Sequence, residues 1–252
     1  MPRLHGKIIV LTRPRRQSEA LIEELQQQGA VVLQAPLIRT EPIENPALAE
    51  AAECLGEFDW LVFTSANGVE HFMHYLEKRQ IGKPDQPRVA VIGRATAAAV
   101  ENYGLTVSLV PDTASSEELA AAFRQFDLSG KRIVLLVAAL TRDILAPALA
   151  AMGAQVTQVA VYRTVPDTEG IKALASIPLG SEAAVVFMSG SAAEVFASQC
   201  PPEARGKVKY CAVGNVTALR MRELGLAVDA TADEPSAQEI VRALESLWQT
   251  GH

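Results

Sequence analysis

Gly6-Lys7-Ile8-Ile9-Val10-Leu11 returns later in the chain as Gly130-Lys131-Arg132-Ile133-Val134-Leu135, and this pair of stretches decides the fold. At the same offset of 124, Leu21 and Leu25 meet Leu145 and Leu149, Gly29-Ala30 meets Gly153-Ala154, Arg39-Thr40 meets Arg163-Thr164, and Pro42 meets Pro166. The register continues through Val62-Phe63 and Val186-Phe187, Ser65 and Ser189, and Phe72 and Phe196. After a shift to 121, Gly93 meets Gly214, Thr96-Ala97 meets Thr217-Ala218, and Ser115 meets Ser236. Coincident apolar positions are common in a chain that is 49% hydrophobic, whereas coincident Gly, Ser, Thr and Pro positions are not. The chain therefore reads as an internal duplication, two similar lobes with a cleft between them.

Each half is a series of strand–helix units. Residues 8–11 and 133–137 are continuous apolar runs, the pattern of a parallel strand covered on both faces. Residues 18–28 place Leu21, Ile22 and Leu25 on one stripe and stop at Gly29, and 142–152 behave alike, with Pro147 tolerable only near the first turn. Trp60–Phe63 and 185–187 run into Ser-rich turns and then helices. Val89–Ile92 and 210–213 end at Gly93 and Gly214, each followed by a helix. Alternating strands and helices imply an α/β fold in which each lobe is an open, mostly parallel sheet flanked by helices. The segments 35–42 and 160–166 are extended and Pro-flanked, and read as a paired connection between lobes. The chain then crosses twice and one lobe is discontinuous; a simple break near residue 125 is the other arrangement the repeat permits.

Composition narrows the function. The chain has 252 residues and a net charge of -6, which argues against nucleic acid or an anionic membrane surface as the main partner. Cys54, Cys200 and Cys211 have no short spacing of a zinc or redox motif, and are expected to be small buried hydrophobes in a reducing compartment. No apolar run approaches the roughly 20 residues of a membrane span, and the opening residues lack a signal-peptide pattern, so a cytoplasmic protein is expected.

In open α/β sheets ligands bind beyond the carboxyl ends of the strands. Three matched pairs of turns lie there: Thr12-Arg13-Pro14 with 138–142, Thr64-Ser65-Ala66-Asn67 with Met188-Ser189-Gly190-Ser191, and Gly93 to Thr96 with Gly214 to Thr217. Small hydroxyl-bearing residues at helix starts either cap the helix or help bind an anion, because free N–H groups and the helix dipole both favour negative charge there. Glycine-rich phosphate loops and the nucleophile elbow are missing. His71 and His74 lie three apart on a helix and read as a solvated face rather than a metal pair. Tyr162, in the interlobe segment and opposite Ile38 in the repeat, can donate a proton without carrying charge, or simply pack at a domain junction.

Val10-Leu11-Thr12-Arg13-Pro14, the run from Phe58 to Val69 containing Phe63-Thr64-Ser65-Ala66-Asn67, Ala90-Val91-Ile92-Gly93 with Thr96-Ala97, and Val161-Tyr162 together resemble the uroporphyrinogen-III synthase family over essentially the full chain. The resemblance implies one lobe from 1–36 plus 167–252 and another from 41–160, joined by a two-stranded linker at 37–40 and 161–166. It implies cyclisation of hydroxymethylbilane to uroporphyrinogen III, with loss of water and inversion of the terminal pyrrole ring, through an azafulvene and a spiro intermediate. No metal or cofactor is implied. The substrate is a linear tetrapyrrole polycarboxylate, and nothing calls for an oligomer, so a monomer is expected.

By the same resemblance, Tyr162 assists departure of the hydroxyl, and Thr96 and Thr217 line the cleft. Thr12, Arg13, Ser65, Asn67, Arg142, Ser189 and Ser191 are expected to help hold the carboxylates, with Arg15, Arg16 and Arg94 as further candidate cations. The turn at 137–142 departs from the family, retaining Arg142 but not the Gly-rich part. The alternative is a two-lobed protein that closes on a small anion without chemistry.

Overall fold

The computed structural model describes residues 3–14, 18–83, 87–141, 144–177, 180–200 and 208–248. By internal contacts the chain divides into two compact units, Met1–Arg39 with Val165–His252, and Thr40–Thr164. Both crossings fall inside strands, β3 (Ile38–Pro42) and β8 (Gln155–Pro166).

The first unit holds β1 (Ile8–Leu11), α1 (Glu19–Gln27), β2 (Val31–Gln34), α7 (Thr168–Ser176), β9 (Ala183–Phe187), α8 (Gly190–Gln199), β10 (Lys209–Val213), α9 (Asn215–Glu223), β11 (Ala230–Ala232) and α10 (Ala237–Ser246). Its five-stranded sheet has the order β11-β10-β9-β1-β2, with all four neighbouring pairs parallel. Side chains alternate across it. Val10, Val185 and Phe187 enter one core with Phe196 and Met221, while Ile9, Leu11 and Val186 enter the other with Leu25 and Leu244. Two covered faces are why these strands read as unbroken apolar runs.

The second unit carries β3, α2 (Pro46–Glu53), a 3-10 turn at Leu55–Glu57, β4 (Trp60–Phe63), α3 (Ala66–Arg79), β5 (Arg88–Val91), α4 (Arg94–Asn102), β6 (Val107–Leu109), α5 (Ser116–Phe123), β7 (Arg132–Ala138), α6 (Leu145–Ala151) and β8. Its six strands are ordered β3-β8-β7-β4-β5-β6. Leu61, Phe63, Leu136 and Tyr162 pack with Phe72 and Leu76 of α3 on one face; Trp60, Val62, Leu135 and Val137 pack with Leu119, Phe123 and Leu149 on the other. Read from β2 in one unit and β8 in the other, the strand orders coincide element by element.

Local chemistry sets the element ends. Gly29 and Gly153 follow α1 and α6 with φ of 81° and 92°, a left-handed conformation that favours glycine. Pro147 is the third residue of α6, within the first turn. Ser115 and Ser236 cap α5 and α10 by accepting from the amides of Glu118 and Glu239 at 3.1 and 3.3 Å. Cys200 and Cys211 are buried and Cys54 is half-buried; none is in a disulfide. Burial pushes the Cys211 thiol up to about 12. Among the described residues, no helix is long and apolar enough to cross a membrane, and no group of three or more His, Cys, Asp or Glu could hold a metal ion.

Candidate active site

In the second unit the carboxyl ends of β4 and β7 and the middle of β8 meet the start of α3. Tyr162 opposes Ala138, the last residue of β7, and its side chain is buried at 7% exposure. Its Oη lies 3.0 Å from Ser65 Oγ. Ser65 is also the N-cap of α3, accepting from the Gly68 amide at 3.0 Å. One hydroxyl thus finishes a helix and anchors the phenol. A Cβ at Gly68 would sit 3.3 Å from Ser65 Oγ, a tight contact, and 3.9 Å from Tyr162 Cε1, an ordinary one. Asn67, half-buried in the first turn of α3, stands at the positive end of the helix dipole.

His71, one turn further along α3, differs from its sequence reading. It is half-buried, and its ring stacks on Tyr162 with centroids 5.4 Å apart and planes at 14°. His71 Nε2 lies 2.8 Å from Thr40 Oγ1 on β3. His74 is exposed and meets Tyr103 edge to face, so the pair is split between two environments. A signal was present in the sequence: Gly68, His71 and Tyr75 follow one helical line beside the apolar stripe, and the repeat sets His71 against Val195, which is buried.

The remaining residues of this unit have separate places. Thr96 is 4% exposed in the first turn of α4, and its amide donates to the Gly93 carbonyl at 3.1 Å. Helix α4 begins at Gly93 with no side-chain cap, and Arg94 at its first position is exposed. A Cβ at Gly93 would come within 2.7 Å of the Ala114 Cβ, so the turn is crowded as well as uncapped. A concavity of about 420 Å³ lined by Glu57, Asp59, Trp60, Arg88, Phe126 and Lys131 lies at the amino ends of β4 and β5, away from Tyr162.

In the first unit, Thr12 is buried behind β1, and its Oγ1 donates to the Val186 carbonyl at 2.8 Å. That hydroxyl proton ties the end of β1 to β9. Burial lowers the Arg13 pKa from its usual value, though a guanidinium stays charged at any physiological pH. Ser189 caps α8, accepting from the Ala192 amide at 3.2 Å, and Ser191 is exposed in the first turn of the same helix. Thr217 is 6% exposed in the first turn of α9, which starts at Gly214 (φ 80°), again without a side-chain cap. Arg15, Arg16 and Arg142 lie outside the described residues. The structure thus joins Tyr162 to Ser65 directly, and places the other candidates at strand and helix ends of their own units.

A family model described as "Uroporphyrinogen-III synthase HemD" matches residues 19–242. A "Uroporphyrinogen-III synthase" from Chlorobaculum parvum is 25% identical over 95% of this chain and 100% of its own. A longer "Porphyrin biosynthesis protein HemD" from Ruminiclostridium josui is 27% identical over 88% of this chain, which spans only 45% of that protein. The crystal structure of a "uroporphyrinogen-III synthetase" from Helicobacter pylori superposes with a TM-score of 0.68 at 18% identity, covering 96% of this chain and 99% of that one, and shows the same fold. With the family model spanning nearly the whole sequence, this chain belongs to the uroporphyrinogen-III synthase family.

Proposed function

We propose that the chain is a working uroporphyrinogen-III synthase of tetrapyrrole biosynthesis and that Tyr162 is its proton donor. The observation that carries the second part is the buried phenol held 3.0 Å from the Ser65 hydroxyl at the start of α3. The reaction begins when Tyr162 passes its phenol proton to the terminal hydroxyl of hydroxymethylbilane. The C–O bond breaks, the pyrrole nitrogen lone pair fills the vacated carbon, and water departs, leaving an azafulvene. The substituted carbon of the last ring attacks the azafulvene carbon to give a spiro intermediate. The bond from that carbon to its original methylene then breaks and re-forms at the ring's free carbon, which inverts the ring. The proton lost from that free carbon restores the phenol. The net change is loss of one water, so the enzyme is a lyase.

The linear substrate can close unaided to the uninverted isomer, so the protein's main work is to hold the chain in the conformation that leads to inversion. Arg13, Ser65, Asn67, Thr96, Arg142, Ser189, Ser191 and Thr217 are the groups proposed to hold its carboxylates; Thr12 is left out, because its hydroxyl proton is given to the Val186 carbonyl. The uncapped starts of α4 and α9 support this, because first-turn amides with no side-chain acceptor favour an anion. A monomer acting in the cytoplasm is part of the same proposal; three cysteines free of disulfides support a reducing compartment. The family match disfavours the reading as an anion-binding protein without catalysis.

The test generates hydroxymethylbilane in situ, adds the protein, oxidises the products and separates porphyrin isomers by chromatography. A shift from type I to type III product is expected. Tyr162→Phe should lower kcat by on the order of a hundredfold, the low end for a positioned proton donor, and leave measurable type III product. Type I product alone from folded wild-type protein overturns the synthase reading; wild-type turnover in Tyr162→Phe overturns the role of the tyrosine.

A further inference from the structure

We propose that His71 is a positioning residue for Tyr162, and that Thr40 fixes His71 in that role; the inference rests on Tyr162 being the proton donor. A phenol can turn about two side-chain torsions, and the contact with Ser65 fixes only its oxygen end. The plane of the ring needs a second constraint. His71 supplies it from α3 by lying nearly parallel to the phenol, 5.4 Å between centroids and 14° between planes. A histidine ring is itself only loosely fixed about its outer torsion, because that rotation is broad and roughly two-fold. The hydrogen bond between His71 Nε2 and Thr40 Oγ1 at 2.8 Å removes that freedom.

The result is a line of four side chains, Thr40 on β3, His71 and Ser65 at α3, and Tyr162 on β8, in which each ring is held by a polar contact at one edge and by its neighbour across a face. At the matching positions of the first unit, Ile38 and Val195 belong to one apolar core, so the ring pair is a feature of the second unit and not of the strand–helix scaffold as such.

The test compares His71→Ala, which removes stack and hydrogen bond, with His71→Phe, which keeps a stacking ring, and Thr40→Val, which removes only the hydrogen bond. Each is made in the wild-type and in the Tyr162→Phe background, with kcat, KM and the ratio of type III to type I product measured separately. His71→Ala is expected to lower kcat about tenfold with KM changed by less than about twofold, because misplacement of a reacting group acts on the transition state. His71→Phe should recover most of that loss, with Thr40→Val in between. In the Tyr162→Phe background the same changes should have almost no further effect on kcat, the coupling expected of residues acting through one group. Full additivity, or unchanged kcat in folded His71→Ala, overturns the positioning role while leaving a slow Tyr162→Phe intact. Wild-type turnover in Tyr162→Phe would instead remove the tyrosine reading on which this inference stands.

Discussion

The turn after β4 and the turn after β9 share a backbone solution and differ in what they carry. In both, a serine ends an extended segment and caps the next helix three residues on, Ser65 to the Gly68 amide and Ser189 to the Ala192 amide. In the second unit the capping hydroxyl also meets Tyr162, which stacks on His71. In the first unit the positions matching Tyr162 and His71 in the sequence repeat are Ile38 and Val195, and both lie in one apolar cluster. A capping serine thus needs only its own helix, whereas a proton donor needs a polar partner for its oxygen and a fixed plane for its ring. The cap occurs in both units because the first requirement is local; the grouping of Tyr162 with Ser65, His71 and Thr40 occurs in one unit and draws on three separate elements, α3, β3 and β8.

The sharpest break in the likeness between units lies at the helices that follow the two crossings, α2 and α7. Asn45 and Asp167 cap them in the same way, and the third helical position is Leu48 in one and Gly170 in the other. Leu48 is a core residue at 1% exposure. Gly170 is pressed against Pro36, and a Cβ there would fall on the Pro36 carbonyl. Backbone cannot yield as a flexible side chain can. Gly170→Ala is expected to cost at least about 3 kcal/mol and to lower Tm by on the order of 10 °C, measured by calorimetry. A Tm within about a degree of wild type would show that α7 can shift away from Pro36 freely.

The two capping serines give the next largest effect and the most direct comparison. Ser65→Ala and Ser189→Ala each remove one side-chain acceptor from a helix start, at a cost of about 1 kcal/mol. Both Tm values should therefore fall, that of Ser65→Ala further because it also takes the partner of the buried Tyr162 hydroxyl. Their kinetics should separate: both serines are proposed substrate contacts, so both variants should raise KM, while only Ser65→Ala also releases the Tyr162 phenol and should lower kcat. Equal kinetic changes in both would mean that Ser65 does not hold the phenol for the reaction.

Much of this was legible in the sequence, for identifiable reasons. The strands were readable because burial on both faces produces unbroken apolar runs such as Ile8–Leu11 and Trp60–Phe63, and the helix ends because Gly29 and Gly153 occupy a conformation that favours glycine. Tyr162 was a candidate because a phenol in the extended segment between lobes can donate a proton without carrying charge, and the family resemblance gave it that role, while the residues alone left packing at a domain junction equally open. His71 was misread because helical spacing from His74 groups two residues whose surroundings differ: what covers His71 is β8 and β3, far away in sequence. Thr12 shows the converse. Its place after a strand suggested a ligand contact, yet its hydroxyl proton holds β9, a pairing that only the sheet order reveals.

The smallest expected effect concerns the strand starts, where the units solve one problem with different groups. The Ile8 amide donates to the backbone carbonyl of Glu182, which cannot titrate. The matching amide, that of Arg132, donates to the Asp59 carboxylate at 2.9 Å, and Lys131 pairs with the other oxygen at 2.9 Å. The Lys131 hydrogen bond, and then that of the Arg132 amide, hold the Asp59 carboxyl below its usual pKa. A lowered folded-state pKa contributes stability that is complete above the unfolded value of about 3.9 and is lost as pH falls through the folded value. Asp59→Asn should therefore destabilise the protein near pH 7 by well under about 1 kcal/mol, because the pair is partly exposed and screened by solvent. The deficit should fade in acid, where wild type loses the same interaction. Urea midpoints measured from neutral pH down to about pH 3 check this, since the two curves should converge at the acid end. A deficit independent of pH would mean that the loss comes from the fit of the substituted amide at this site and not from the charge of Asp59.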